Sequence, residues 1–125
     1  MNNDNAAGEN GGDTYLVRTA DGAELFRAYG GGGGGSSGWL SGQNGGSGGG
    51  SLQDTTSNGM IGGRGVAGQG HDGGCGGIRI ASNSQMMPGG GGGAGEAGGD
   101  TDDASRTIGK GGDGLPCSIT GDEIW

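Results

Sequence analysis

The chain has 125 residues, of which 40 are glycine and only fourteen are Leu, Ile, Val or Phe. So small an apolar share excludes a conventional enzyme fold, a helix bundle and an immunoglobulin-like sandwich, which bury cores of those residue types, and no apolar run reaches membrane-spanning length. Fourteen acids against six bases give a net charge of −8, which repels phosphate backbones and anionic lipid, so neither nucleic acid nor membrane insertion is expected.

Residues 1–13 are polar and turn-forming, and the start lacks the basic and apolar regions of a secretory leader. Two β-prone runs follow, Thr14-Tyr15-Leu16-Val17-Arg18-Thr19 and Glu24-Leu25-Phe26-Arg27-Ala28-Tyr29, separated by Ala20-Asp21-Gly22-Ala23. Asp-Gly between such runs predicts a hairpin with a type I′ turn, whose central residues need positive φ. Centred on Asp21-Gly22, that turn pairs Arg18 with Leu25, Val17 with Phe26 and Tyr15 with Ala28. Tyr15, Val17, Phe26 and Ala28 then share one apolar face.

From Gly30 onward, glycine blocks at 30–38, 42–51, 59–77, 88–99 and 109–114 alternate with polar spacers such as Ser51–Asn58, Ile78–Ser84 and Asp100–Ser105. Glycine disfavours helix by about 1 kcal/mol per residue, and no helical periodicity is present. A period of three runs through the blocks instead. Gly59, Gly62, Gly65 and Gly68 keep it, as do Gly89, Gly92, Gly95 and Gly98. Three residues per turn is the repeat of the extended left-handed helix. Collagen shares the repeat but demands an unbroken one with abundant proline, and this chain has two prolines.

The remaining architecture is a bundle of polyglycine II helices. Such a helix makes no internal hydrogen bonds, so its N–H and C=O groups must find partners on neighbouring helices. Close approach requires that no Cβ intervene, hence a packing glycine at each interior-facing third position. Met60, Ile61, Arg64, Val66, Ala67 and Gln69 then face outward, and the spacers become turns. The expected fold is irregular coil by hydrogen-bond assignment, in one glycine-rich domain. A polar lead and β-hairpin occupy 1–29, the glycine-helix bundle 30–114 and a terminal strand 115–125. Because Ile119–Trp125 reads as a strand entering something, an excerpt of a longer chain is expected.

The stretch Pro88-Gly89 to Gly99, followed after a spacer by Gly111-Gly112-Asp113-Gly114-Leu115-Pro116-Cys117-Ser118-Ile119-Thr120-Gly121, resembles the glycine-rich domain of phage tail and bacterial surface proteins. Asn10-Gly11-Gly12-Asp13-Thr14 and Ala28-Tyr29-Gly30-Gly31 are similar to that family's entry into its first glycine block. The family's Val-Pro-Ala-Gly-like N-terminal segment and its glycine run after the aromatic strand are missing here. The resemblance implies a structural or adhesive role without catalysis.

Candidate chemistry is sparse. Gly-x-Gly-x-x-Gly occurs at Gly68–Gly73 and Gly93–Gly98, but neither follows a strand or opens a helix, as a dinucleotide site requires. Lys110 lacks the spaced glycine and hydroxyl residue of a phosphate loop. His71 is the only histidine. It lies four residues before Cys75 with no orienting group and no third metal ligand, so an exposed turn histidine is the favoured reading. Asp100, Asp102 and Asp103 form a weak calcium candidate. Ser105 and Gly111 stand where an EF-hand loop needs Gly and Glu, and a solvated acidic turn is favoured. Cys75 and Cys117 are compatible with one disulfide or with two buried reduced thiols.

The function expected is a non-catalytic structural or adhesive module of a phage tail fibre, a cell-surface protein or an extracellular filament, with no cofactor. Its location would be the virion, the cell surface or the extracellular space. Trp39, Leu40, Met86, Met87 and Trp125 are the expected contact surface, with self-association as homo-oligomer or filament and a host-surface receptor as partners. The alternative is ice binding, since polyglycine bundles can present flat faces. Against it, the outward positions mix Met, Ile, Arg, Val and Gln instead of repeating small residues.

Overall fold

The computed structural model describes residues 7–36, 41–53, 60–78, 86–102 and 104–118. Among the described residues there is no helix, and the only strands are β1 (Thr14–Val17) and β2 (Glu24–Ala28), paired antiparallel. The rest is coil joined by turns and isolated bridges.

The hairpin lies where the β-prone runs place it, but its turn and register differ from the sequence expectation. Arg18 N–H donates to Ala23 O and Gly22 N–H to Arg18 O, each at 2.8 Å, so the loop spans the four residues 19–22. Only Gly22 takes positive φ, at 69°, and the Asp21 side chain accepts from Ala23 N–H instead of adopting a left-handed conformation itself. The four-residue loop moves the pairing next to it by two positions, and a bulge between Leu16 and Val17 takes one back, so that beyond it Thr14 faces Ala28, Tyr15 faces Arg27 and Leu16 faces Phe26. Val17 then faces Glu24 across a bulge. Directly opposed residues share a face. Phe26 and Ala28 therefore lie with Leu16 and Thr14, not with Tyr15 and Val17.

Beyond the hairpin, extended segments run side by side and hydrogen-bond to one another. The bonds advance in steps of three along both partners. His71, Gly74 and Gly77 N–H donate to Gly93, Gly90 and Met87 O, so 70–77 and 86–93 run antiparallel. Gly48 and Ser51 donate to His71 and Gly74 O, so 47–53 and 70–77 run parallel. Consecutive segments alternate in direction, and in five cases among the described residues, such as 41–45 with 60–66 and 86–93 with 108–114, the next but one lies parallel alongside.

These neighbour relations build three layers. Segments 60–66, 70–77 and 97–101 form the first; 41–45, 47–53, 86–93 and 108–114 the second; 8–11 and 30–35 the third. Segment 47–53 is the centre, bonded to 30–35, 41–45, 60–66, 70–77 and 86–93. Its crowding is visible in the glycines. A Cβ on Gly48, Gly49 or Gly50 would lie well inside 3.0 Å of Gly63 O, Gly33 O and Gly89 O respectively. Glycine is thus needed at three consecutive positions, 48 to 50. The expectation of one packing glycine in three underestimates a segment enclosed on nearly all sides.

Among the described residues a hydrophobic core is almost missing. Among the described residues Met87 is the one buried apolar side chain, while Ser51 and Gln53 are buried polar ones. Ser51 Oγ donates to Met60 O at 3.0 Å and accepts from Gly76 N–H at 2.6 Å. Gln53 Oε1 accepts from Met87 N–H at 2.7 Å. These side chains supply the hydrogen bonds that a glycine neighbour supplies elsewhere, which satisfies the demand that buried polar groups be partnered. Residues 51–53 therefore belong to the interior, although they open a stretch that reads as a spacer.

Candidate interaction surface

The hairpin stands on the third layer and is tied down by polar side chains. Gln69, in the turn after segment 60–66, accepts from Tyr29 N–H at 2.8 Å and donates to Arg27 O at 2.9 Å. Asp13 accepts from Gly30 N–H at 3.0 Å, and Asn10 accepts from Gly33 N–H at 2.9 Å. Residues 10–13 thus serve as the fringe of segment 30–35, occupying donors that no glycine chain covers.

One face of the hairpin is charged. Arg27 bonds Glu24 at 2.6 Å and Asp13 at 3.0 Å, and its guanidinium lies 5.6 Å from the Tyr15 ring centre. The Gly30 N–H and then Arg27 hold the Asp13 carboxyl below the ordinary aspartate range; Arg27 does the same for Glu24. Glu24 and then Asp13 in turn raise the Arg27 pKa, so it stays cationic at every relevant pH. The opposite face is apolar and uncovered: Leu16 is 60% and Phe26 61% exposed. Leu25 and Tyr29 are exposed beside it.

The sequence-predicted site residues fall into several groups. Gly62 is buried, Gly65, Gly89, Gly92 and Gly98 are half-buried, and a Cβ on any of them would strike a neighbouring backbone. Gly95 is exposed in the bend 94–96, though a Cβ there would still meet Gly114 O. Gly68 is a turn residue, with φ +81° and open space where a Cβ would be. It ends the run of packing glycines because segment 60–66 reverses there. Gly59 lies outside the described residues.

Of the expected contact residues, Met87 is 5% exposed and belongs to the interior, whereas Met86 is 58% exposed. Trp39, Leu40 and Trp125 lie outside the described residues, as do 119–125 of the expected terminal strand. Cys75 is half-buried and Cys117 exposed, and both are free thiols, so neither the disulfide nor a pair of buried thiols describes them.

The acidic turn is engaged by neighbouring amides and a hydroxyl. Asp100 accepts from Cys75 N–H at 2.7 Å, and Asp102 accepts from Ala104 N–H at 3.0 Å and Ser105 Oγ at 2.6 Å. The Ser105 hydroxyl and these amides hold the Asp102 carboxyl below its usual range. Asp103 lies outside the described residues. His71 has an exposed side chain in segment 70–77, beside an open hollow of about 650 Å³ that Ala67, Gln69, Asp72 and Leu115 also line.

Sequence reasoning missed Gln69, Asn10 and Asp13 as fasteners and Ser51 and Gln53 as interior partners. Each is a polar residue in or next to a glycine-rich stretch, and nothing in its local pattern distinguishes it from a solvated turn residue. Compared with known proteins, the chain matches no family model, no curated sequence and no solved structure.

Proposed function

We propose that this chain is a non-catalytic structural and adhesive module: a rigid bundle of polyglycine II helices that holds a hairpin and connecting turns as its contact surface. The observation that supports it is the three-residue step of the hydrogen bonds between segments, which is the repeat of that helix. A part of a phage tail fibre, a cell-surface protein or an extracellular filament is the setting such a rigid, acidic, core-poor object suits. Catalysis is not part of the reading, since the perturbed carboxylates Asp13, Glu24 and Asp102 are engaged by Arg27, Ser105 and backbone amides.

Copies of the chain meet through the Leu16–Phe26 face of the hairpin. Burying that face stabilises the assembly by roughly 25 cal/mol per Å² of apolar surface removed from water. Light scattering on the wild type and on Phe26→Ser tests it. The expected result is a concentration-dependent oligomer that the substitution dissociates into monomers that remain folded. A wild type that stays monomeric at every concentration would refute self-association through the hairpin.

A further inference from the structure

The third layer of the array stops after segment 30–35, leaving a groove of about 470 Å³ walled by 31–35 and 88–92 and floored by 47–51. No charged side chain lines it. The hydroxyls of Ser47 and Ser51 point away, to Gly93 O at 3.3 Å and Met60 O at 3.0 Å. Its surface is therefore backbone, apart from the ring of Pro88.

Which backbone groups face the groove follows from the three-residue step, because successive groups of such a chain point about 120° apart. On the floor, Gly49 N–H donates into 41–45, and Gly48 and Ser51 N–H into 70–77. The third direction, taken by Ser47 and Gly50 N–H, opens into the groove. On one wall, the Gly30 and Gly33 carbonyls accept from Gly46 and Gln43 and those of Gly31 and Gly34 from 8–11, leaving those of Gly32 and Gly35. On the other wall, the Met87, Gly90 and Gly93 carbonyls accept from 70–77 and those of Pro88 and Gly91 from 108–114, leaving those of Gly89 and Gly92. None of these remaining donors and acceptors has a hydrogen-bond partner among the described residues.

A second observation points the same way. Gly31, Gly34 and Gly91 are exposed, and a Cβ on each would meet nothing closer than 3.9, 3.8 and 3.9 Å. None of the three has positive φ, so the fold of this chain does not itself call for glycine there. A further chain lying between the walls would call for it, because their missing Cβ atoms leave room for a backbone.

We propose that this groove is a docking site for an extended glycine-rich segment of a partner protein, which enters as the next helix of the third layer. Its N–H groups donate to the Gly32, Gly35, Gly89 and Gly92 carbonyls, and its carbonyls accept from Ser47 and Gly50. Side chains on the faces turned toward floor and walls are excluded by the same closeness that requires glycine within the bundle. This inference rests on the threefold reading of the segments.

The test uses the whole chain, isotope-labelled, and a capped peptide of six glycines flanked by serines, with six alanines in place of the glycines as control. The expected result is saturable perturbation of the Ser47 and Gly50 amides by the glycine peptide, with at least tenfold slower hydrogen exchange at Gly50. The alanine peptide leaves both unchanged, and Gly34→Val, which fills the groove, abolishes the effect while melting like the wild type. Absence of saturable binding to the wild type, or equal binding of the alanine peptide, would overturn the docking site and leave the threefold reading standing. Perturbation of the same amides by raising protein concentration alone would overturn it in favour of a second copy. Unfolding by Gly34→Val would count against the threefold geometry itself.

Discussion

Adding one methyl group should have opposite signs at Gly48 and Gly34. A Cβ on Gly48 would penetrate Gly63 O, a backbone atom that cannot swing aside. Relief requires segments 47–53 and 60–66 to part, which loosens Gly48 N–H to His71 O, Gly92 N–H to Gly48 O, Gly63 N–H to Gly49 O and Gly73 N–H to Gly63 O, all between 2.7 and 2.9 Å. Each such bond contributes about 0.5–1.5 kcal/mol net, so their joint loss costs roughly 2–6 kcal/mol. The restriction of the unfolded chain by alanine offsets only about 0.4–1 kcal/mol of this. Since domains are stable by roughly 5–15 kcal/mol, Gly48→Ala should remove a large share of the fold's stability and lower its melting temperature clearly. At Gly34 the nearest atom to a Cβ is 3.8 Å away, and only the unfolded-state effect remains. Gly34→Ala should therefore raise stability by about 0.4–1 kcal/mol, or a few degrees in melting temperature. Calorimetric or circular-dichroism melting of the two variants checks both signs. A Gly48→Ala protein that melts with the wild type, or a Gly34→Ala protein that melts well below it, would refute the packing argument.

Ser51→Ala removes the acceptor of the buried Gly76 N–H and the donor to Met60 O. It should cost about 1–3 kcal/mol, read from denaturant titration, with Ser51→Thr no substitute because the site is 1% exposed and has no room for a methyl group. Acid should destabilise the fold in a defined window. Asp13, Glu24 and Asp102 have folded pKa values below their unfolded ones, so their contribution is complete above the ordinary carboxylate range near pH 4 and is lost as pH falls through the lower folded values. Melting temperature measured from pH 7 to 2 should stay level with respect to these groups down to about pH 4 and then decline, and Arg27→Gln should flatten the part due to Glu24 while leaving the larger share of Asp13's, which the Gly30 N–H supplies.

Local patterns made part of this molecule legible. Alternating β-prone runs about Asp21-Gly22 located the hairpin, and the spacing of glycines indicated a three-residue repeat before any hydrogen bond was known. What failed were the details of the hairpin and the features decided by partners distant in sequence. The Asp21 side chain closes on Ala23 in the longer loop, which by itself keeps Phe26 on its expected face, and the bulge between Leu16 and Val17 turns it to the other. Gly68 keeps the spacing of the packing glycines, yet the chain turns there. Ser51 and Gln53 read as turn residues because polarity at the surface and polarity serving a buried amide have the same sequence signature. Met87 reads as a contact residue because nothing local says that Gln53 and Thr101 close around its backbone.

An interior made of peptide groups instead of side-chain hydrocarbon also changes how stability responds to temperature. On unfolding, newly exposed apolar surface raises the heat capacity by about 0.45 cal/mol/K per Å², and exposed polar surface lowers it by about 0.26. In most domains the first contribution dominates, giving roughly 12–15 cal/mol/K per residue and a strongly curved dependence of free energy on temperature. Here Met87 is nearly alone as buried hydrocarbon among the described residues, while glycine amides and carbonyls fill the centre, so the two contributions come close to cancelling. The enthalpy of unfolding then changes little between the cold and the melting point. Cooling strengthens such a structure instead of eroding it, because little of what holds it together fades as apolar hydration becomes less costly.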